Sequence, residues 1–161
     1  MKKIPTSWWL IGIAIFIVAM FVWSNVASRN ESASRTNREV ALLCTSDMAT
    51  QFHIHPVLKI FINGKEHVIP ANIGIQPGCM NSLHTHDASG TLHVEAPEKR
   101  DFTLADFFAV WNQPFTPDQI LDYKVDATHQ IRVTVNGAQV DTYENTILRD
   151  KDQVIVSYES K

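Results

Sequence analysis

The chain has 161 residues with 14 basic and 17 acidic side chains, and residues 46–161 alone carry 15 acids against 9 bases, a formal charge of −6. That balance excludes the basic footprint of a nucleic-acid-binding protein. Beyond the apolar start about 115 residues are left, enough for one domain with its own core and calling for no second.

Lys2 and Lys3 precede Trp8 to Trp23, a run of 16 residues without a charge. As a helix it would be about 24 Å long against a hydrocarbon core of ~30 Å, and Val26 and Ala27 extend it. Trp8, Trp9 and Trp23 sit where interfacial aromatics belong. We read residues 1–28 as an N-terminal membrane anchor, with a cleaved signal peptide as the competing reading. The cationic start places the rest of the chain outside the cytoplasm, although Arg29, Arg35 and Arg38 weaken that bias. Residues 29–45 are read as a polar linker. Arg29 to Glu39 lacks apolar periodicity and has the composition of a flexible tether, while Val40 to Cys44 is apolar enough to add a strand or a turn of helix to the domain.

Residues 46–161 are expected to form an extracytoplasmic α+β domain, a small antiparallel sheet of β-hairpins covered by one short amphipathic helix. Phe52 to Ile62 reads as a strand with Leu58, Ile60 and Ile62 on the core face, and Pro56 marks an edge or a bulge within it. Asn63-Gly64 and Asn136-Gly137 are type I′ hairpin signals. Pro70 to Gly78 is loop chemistry. Leu104, Phe107, Phe108 and Trp111 fall at i, i+3, i+4 and i+7 of a helix capped by Thr103 or Asp101 and stopped by Pro114. Thr116-Pro117-Asp118-Gln119 repeats a helix-start pattern and predicts one further turn. Gln130 to Val135 and Val154 to Tyr158 are strands.

The chemistry is concentrated between Cys79 and Pro97. Leu83-His84-Thr85-His86 reads as a strand, Asp87-Ala88-Ser89-Gly90 as a turn, and Thr91-Leu92-His93-Val94 as the returning strand. With a four-residue loop His84 opposes His93, and because side chains alternate along a strand, His86 shares their face. Three imidazoles at that spacing form a candidate metal site, and His53 and His55, a second pair at the same spacing, are free to complete it. Asp87 and Glu95 are candidate carboxylates behind the ligands. The two cysteines leave two alternatives. Cys44 and Cys79 pair in a disulfide, or Cys79 stays a thiol and adds a soft ligand beside Met80.

The patterns HxHxxLxIxING at His53 to Gly64, CxxxLHTHDxxGxxHVExP at Cys79 to Pro97 and FTLxxFFxxW at Phe102 to Trp111 resemble an uncharacterised prokaryotic family of membrane-anchored or exported proteins. The resemblance implies that His53, His55, Cys79, His84, His86, Asp87 and His93 occupy motif positions in a domain outside the cytoplasmic membrane, and it brings no activity with it. The chain departs from the pattern at Ala105, where a glycine is expected, and at Asn81-Ser82, where bulkier residues are usual.

The reading that follows is a membrane-anchored domain binding copper or zinc through the histidine cluster. Intrinsic affinity order and the neighbouring Cys79 and Met80 favour copper. The alternatives are a metal-dependent enzyme with an open coordination position, hydrolytic or redox, and a non-metal interaction domain in which the histidines are polar structure.

Overall fold

A computed structural model describes residues 6–46 and 50–161, with the side chains of 6–8 and 28–33 left out of the description. The expected roles of Lys2 and Lys3, and of the side chains of Trp8 and Arg29, lie outside the described residues. The chain divides into two compact units, Met1–Thr36 and Asn37–Lys161.

The first unit is one helix, α1 (Thr6–Ser34). Its stretch Trp9–Ala27 is apolar enough to cross a membrane, and its 19 residues rise about 28 Å. Each of these side chains is exposed. An all-round apolar stretch of this length has the composition of a membrane-spanning helix or of a signal sequence. The helix runs on to Ser34, so the polar stretch expected to be a tether is helical over its first part.

The second unit has an α+β architecture. It begins with α2 (Asn37–Leu42), which buries Val40 and Ala41. Arg38 Nε donates to Asp106 Oδ1 at 2.8 Å and Asn81 Nδ2 donates to the Ala41 carbonyl at 3.1 Å, so this part of the polar segment is built into the domain. Strand β1 (Cys44–Thr45) then joins a small sheet, and Cys44 is bridged to Cys79 with a Cα separation of 5.4 Å. The bridge answers the cysteine question in favour of the disulfide and removes Cys79 from the candidate ligands. A sulfur held in a disulfide has no thiolate to offer.

The run Phe52 to Ile62 is not one strand. Pro56, which has no N–H to donate, separates β2 (Phe52–Ile54) from β3 (Val57–Ile62), and the two halves serve different sheets. From β3 the Asn63-Gly64 turn, with φ of 50° and 80°, leads into β4 (Lys65–His67). Strands β5 (Ile75–Gln76) and β6 (Cys79–Asn81) complete the small sheet with β1, in the order β1-β6-β5. Strands β7 (Leu83–His84) and β8 (His93–Ala96) pair with β2 in the order β2-β8-β7.

Helix α3 (Leu104–Val110) starts at Thr103, whose backbone N–H donates to Asp106 Oδ2 at 3.0 Å. It buries Leu104, Phe107 and Phe108, as the helical spacing predicts, and packs against α2 and β7. The helical turn expected at Thr116 to Gln119 is instead a reverse turn between β9 (Phe115–Thr116) and β10 (Gln119–Ile120), followed by β11 (Tyr123–Lys124). Proline's fixed φ suits the first helical position and the second position of a β-turn equally, and here the Asp118 N–H bonds to Thr116 Oγ1 at 3.3 Å, closing the turn.

Strands β12 (His129–Val135), β13 (Ala138–Val140) and β14 (Gln153–Ser160) complete a five-stranded sheet in the order β13-β12-β14-β3-β4. Its pairing is antiparallel except where β14 runs parallel to β3. Leu58 and Ile60 on β3 and Val154 and Val156 on β14 alternate inward and are almost completely buried. They form one apolar layer of a core that reaches Leu83, Leu92, Phe102 and Phe107.

Two predictions follow from this arrangement. Replacing both Cys44 and Cys79 by Ser opens a loop spanning a sequence separation of 35 and should cost about 3–4 kcal/mol in the chain-entropy model, read as a lower denaturant midpoint with a steeper slope, because the released unfolded chain exposes more surface. Gly90 has φ +87°, and an added Cβ would lie 2.3 Å from the Leu58 carbonyl oxygen. Gly90→Ala should therefore destabilise the second unit by more than about 1 kcal/mol, and a wild-type midpoint for that variant would disprove the close approach.

Candidate metal centre

The site lies on the sheet β2-β8-β7. Along β8 the buried Val94 and Ala96 alternate with the half-buried His93 and Glu95, so one face joins the core and the other carries polar groups. Across that polar face His53 on β2 opposes Glu95, and His84 on β7 opposes His93. The expected hairpin register is the observed one. Beyond β7 the chain turns through Asp87 to Gly90, and Thr91 bridges to Val57 of β3 in place of facing His86.

The rings converge. His84 and His93 are stacked with centroids 5.4 Å apart, while His86 meets them edge-on at 4.9 and 4.5 Å. His55 also lies edge-on to His93 at 4.7 Å and His53 stands at 5.9 Å, with 4.4 Å between these two rings. Two groups of three therefore offer ligand atoms within 4.8 Å of one another, namely His84, His86 and His93, and His53, His55 and His93. Thr85 and Leu92 point the opposite way and are fully buried. Thr85 Oγ1 donates to the Pro70 carbonyl at 2.9 Å, holding the loop that precedes β5 over the back of the hairpin.

His84 is the best-defined group. It is fully buried, and its Nδ1 lies 3.0 Å from the Asn81 carbonyl oxygen. A carbonyl can only accept, so Nδ1 carries the ring hydrogen and the lone pair is on Nε2. That Nε2 is buried and has no hydrogen-bond partner. An unpartnered buried polar atom costs about 1–3 kcal/mol, and an imidazole fixed through one nitrogen with the other left open is the arrangement that prepares a metal ligand. Burial also lowers the pKa of His84, which keeps the ring neutral and its lone pair available.

His93 Nδ1 is a second buried nitrogen without a partner. Its pKa is lowered to about 4, first by burial and then by repulsion from His86, His55 and His84. Glu95 Oε1 lies 3.1 Å from His53 Nε2 and 4.0 Å from His93 Nδ1, so this carboxylate belongs to the site as expected. Asp87 does not. It accepts the Ser89 N–H at 2.8 Å within its own turn, and the Ser89 hydrogen bonds hold its pKa below the usual carboxylate value. It shapes the loop that returns His93.

Sequence reasoning missed two contributors. Asn81 acts through its backbone carbonyl, which any residue possesses, so no sequence signal marks it. Gly74 passes so close to β7 that an added Cβ would stand 2.5 Å from the Leu83 carbonyl oxygen and 3.2 Å from His84 Cβ. Its loop thereby covers His84, and the glycine within Pro70 to Gly78 was the available hint. His67 and His129 lie elsewhere, His67 beside Trp111 and His129 stacked on Tyr158.

Compared with known proteins, the chain matches no protein-family model, no curated protein and no solved structure.

The lowered pKa values of His84 and His93 have a consequence for the metal-free protein. In the unfolded chain a histidine takes up a proton near pH 6.5, whereas His93 in the folded chain resists it until about pH 4. The unfolded state therefore binds more protons in this window, and stability that is present above pH 6.5 is lost as the pH falls towards 4. Denaturant midpoints of metal-free protein measured from pH 7 to 4 should fall, and His93→Gln should flatten part of that fall. An unchanged slope in the variant would show that His93 is not held neutral.

Proposed function

We infer that this protein is a membrane-anchored, extracytoplasmic domain that binds a transition-metal ion, copper or zinc, through His84, His86 and His93. The observation that carries the reading is His84, buried with Nδ1 fixed on the Asn81 carbonyl and Nε2 unpartnered, turned to a face shared with two more imidazoles. Neutral imidazole suits both ions. With Cys79 in the disulfide copper loses that soft ligand, and it keeps the neighbouring Met80 and its place in the intrinsic affinity order. The disulfide also supports a location outside the cytoplasm, since such bridges persist in oxidising compartments. The apolar helix α1 supports single-pass anchoring. The resemblance to a prokaryotic family of anchored or exported proteins agrees with both.

Three histidines leave a coordination position for water or a substrate, which is the geometry an enzyme would need. Glu95 is the carboxylate that favours this second reading, because it stands beside the imidazoles of His53 and His93. Its present partner, His53, makes it an orienting group first. Carriage or storage of the ion is the primary reading.

The chain in detergent, stripped of metal and dialysed against micromolar zinc or copper near pH 7, should take up the ion in stoichiometric amount. His84→Ala should remove one bound ion per chain, while His67→Ala and His129→Ala should leave uptake unchanged. Wild-type protein that takes up neither metal would refute the reading and put the interaction domain in its place. For topology, a C-terminal reporter enzyme that works only outside the cytoplasm should be active. Activity confined to a cytoplasmic reporter would reverse the orientation.

A further inference from the structure

Five histidines share the polar face of β2-β8-β7, one more than a tetrahedral ion takes. Within each group of three the ligand atoms lie within 4.8 Å of one another, but the five do not form one such group, and His93 is the member common to both. Among the described residues the ring contacts have the same pattern. His53 and His55 touch each other and His93, and His84 and His86 touch each other and His93. An ion with metal–nitrogen bonds of about 2.0–2.1 Å and tetrahedral angles holds its nitrogens about 3.4 Å apart, which each group would reach by about an ångström of tightening. The five together already exceed the 4.8 Å spread of each group.

Each group also contains a buried nitrogen without a hydrogen bond, His84 Nε2 in the first and His93 Nδ1 in both. His93 Nδ1 lies 4.0 Å from the Glu95 oxygen that His53 Nε2 approaches to 3.1 Å. An imidazole has two ring nitrogens, so a histidine common to both groups can serve both only by offering one nitrogen to each. Glu95 supplies a negative charge close to the second group, offsetting part of the repulsion between two cations.

We propose that the face holds two metal ions at once, one on His84 and His86 and one on His53 and His55, joined through the two nitrogens of His93. The proposal rests on the metal-binding reading above and extends it. A neutral imidazole has one lone pair and one N–H, so the first ion takes the lone pair and the second displaces the proton. The N–H bond breaks, the proton leaves to solvent, its electron pair forms the second metal–nitrogen bond, and neither metal changes oxidation state. His93 becomes a bridging imidazolate.

The test uses the full chain in detergent, freed of metal and titrated with Cu(II) alone, with bound copper counted per chain and followed by electron paramagnetic resonance. Two ions should bind. The signal should rise through the first equivalent and fall as the second is taken up, because unpaired electrons joined through one imidazolate couple. His53→Ala/His55→Ala should keep one ion with a full, uncoupled signal, and these half-exposed positions can be changed without opening the core. His84→Ala should do the same through the other position. An endpoint of one ion that survives in His53→Ala/His55→Ala, or two ions with full uncoupled signals, would overturn the shared bridge and leave the first site standing. No binding at all would overturn the metal reading with it.

Discussion

The joint between the two larger sheets is where the structure is most tightly constrained. At Pro56 the chain leaves one sheet for the other, and the Pro56 carbonyl accepts the Leu92 N–H at 2.9 Å while the Leu58 N–H donates to the Gly90 carbonyl at 2.8 Å. These two bonds pin the returning arm of the histidine hairpin against the start of β3. The close approach admits no side chain at Gly90. From this knot β2 is directed beside β8, which places His53 opposite Glu95 and brings His55 to the ring of His93. The His55 backbone N–H is fixed separately, by Asp150 Oδ1 at 3.0 Å. Loss of the knot would leave both sheets their internal ladders and loosen the hold of the hairpin's returning arm on β3.

Burial on the core side and polarity on the other side of the same strands set the character of the site. Ile54, Leu83 and Val94 are paired across the sheet and belong to the core, so slipping the register by one residue would turn imidazoles inward and aliphatic groups outward. The apolar face thus protects the geometry of the polar one. The covering segment through Gly74 then closes over His84. A solvated histidine would satisfy both nitrogens with water. Enclosed, His84 finds one partner in the Asn81 carbonyl and leaves the other nitrogen open, and the same enclosure keeps the ring uncharged. Desolvation and ligand readiness are here one effect of packing.

Much of this was legible in the amino-acid sequence because it depends on local rules. The apolar run ending at Ala27 could only be a helix without a water-facing side. The two Asn-Gly turns required positive φ at both positions and received it. The spacing of Leu104, Phe107 and Phe108 gave a buried helix face, and the four-residue turn after His86 determined that His84 faces His93. The strand period is two, so that arithmetic has no freedom once the loop length is known.

What the tertiary structure decided was everything that depends on approach between distant segments. Pro56 signalled an interruption, but the assignment of β2 and β3 to separate sheets follows from the parallel pairing of β3 with β14, nearly a hundred residues away in sequence. The bridge between Cys44 and Cys79 required their Cα atoms to come within 5.4 Å, a distance that spacing cannot supply. Thr116 to Gln119 satisfied the start of a helix and the corner of a hairpin equally, and only its neighbours chose between them. How closely each carboxylate meets the histidines was decided in the same way. Asp87 directs its hydrogen bond into the turn that it begins, while Glu95, two residues beyond His93 on the same strand face, is carried to 3.1 Å from His53 Nε2 by the sheet.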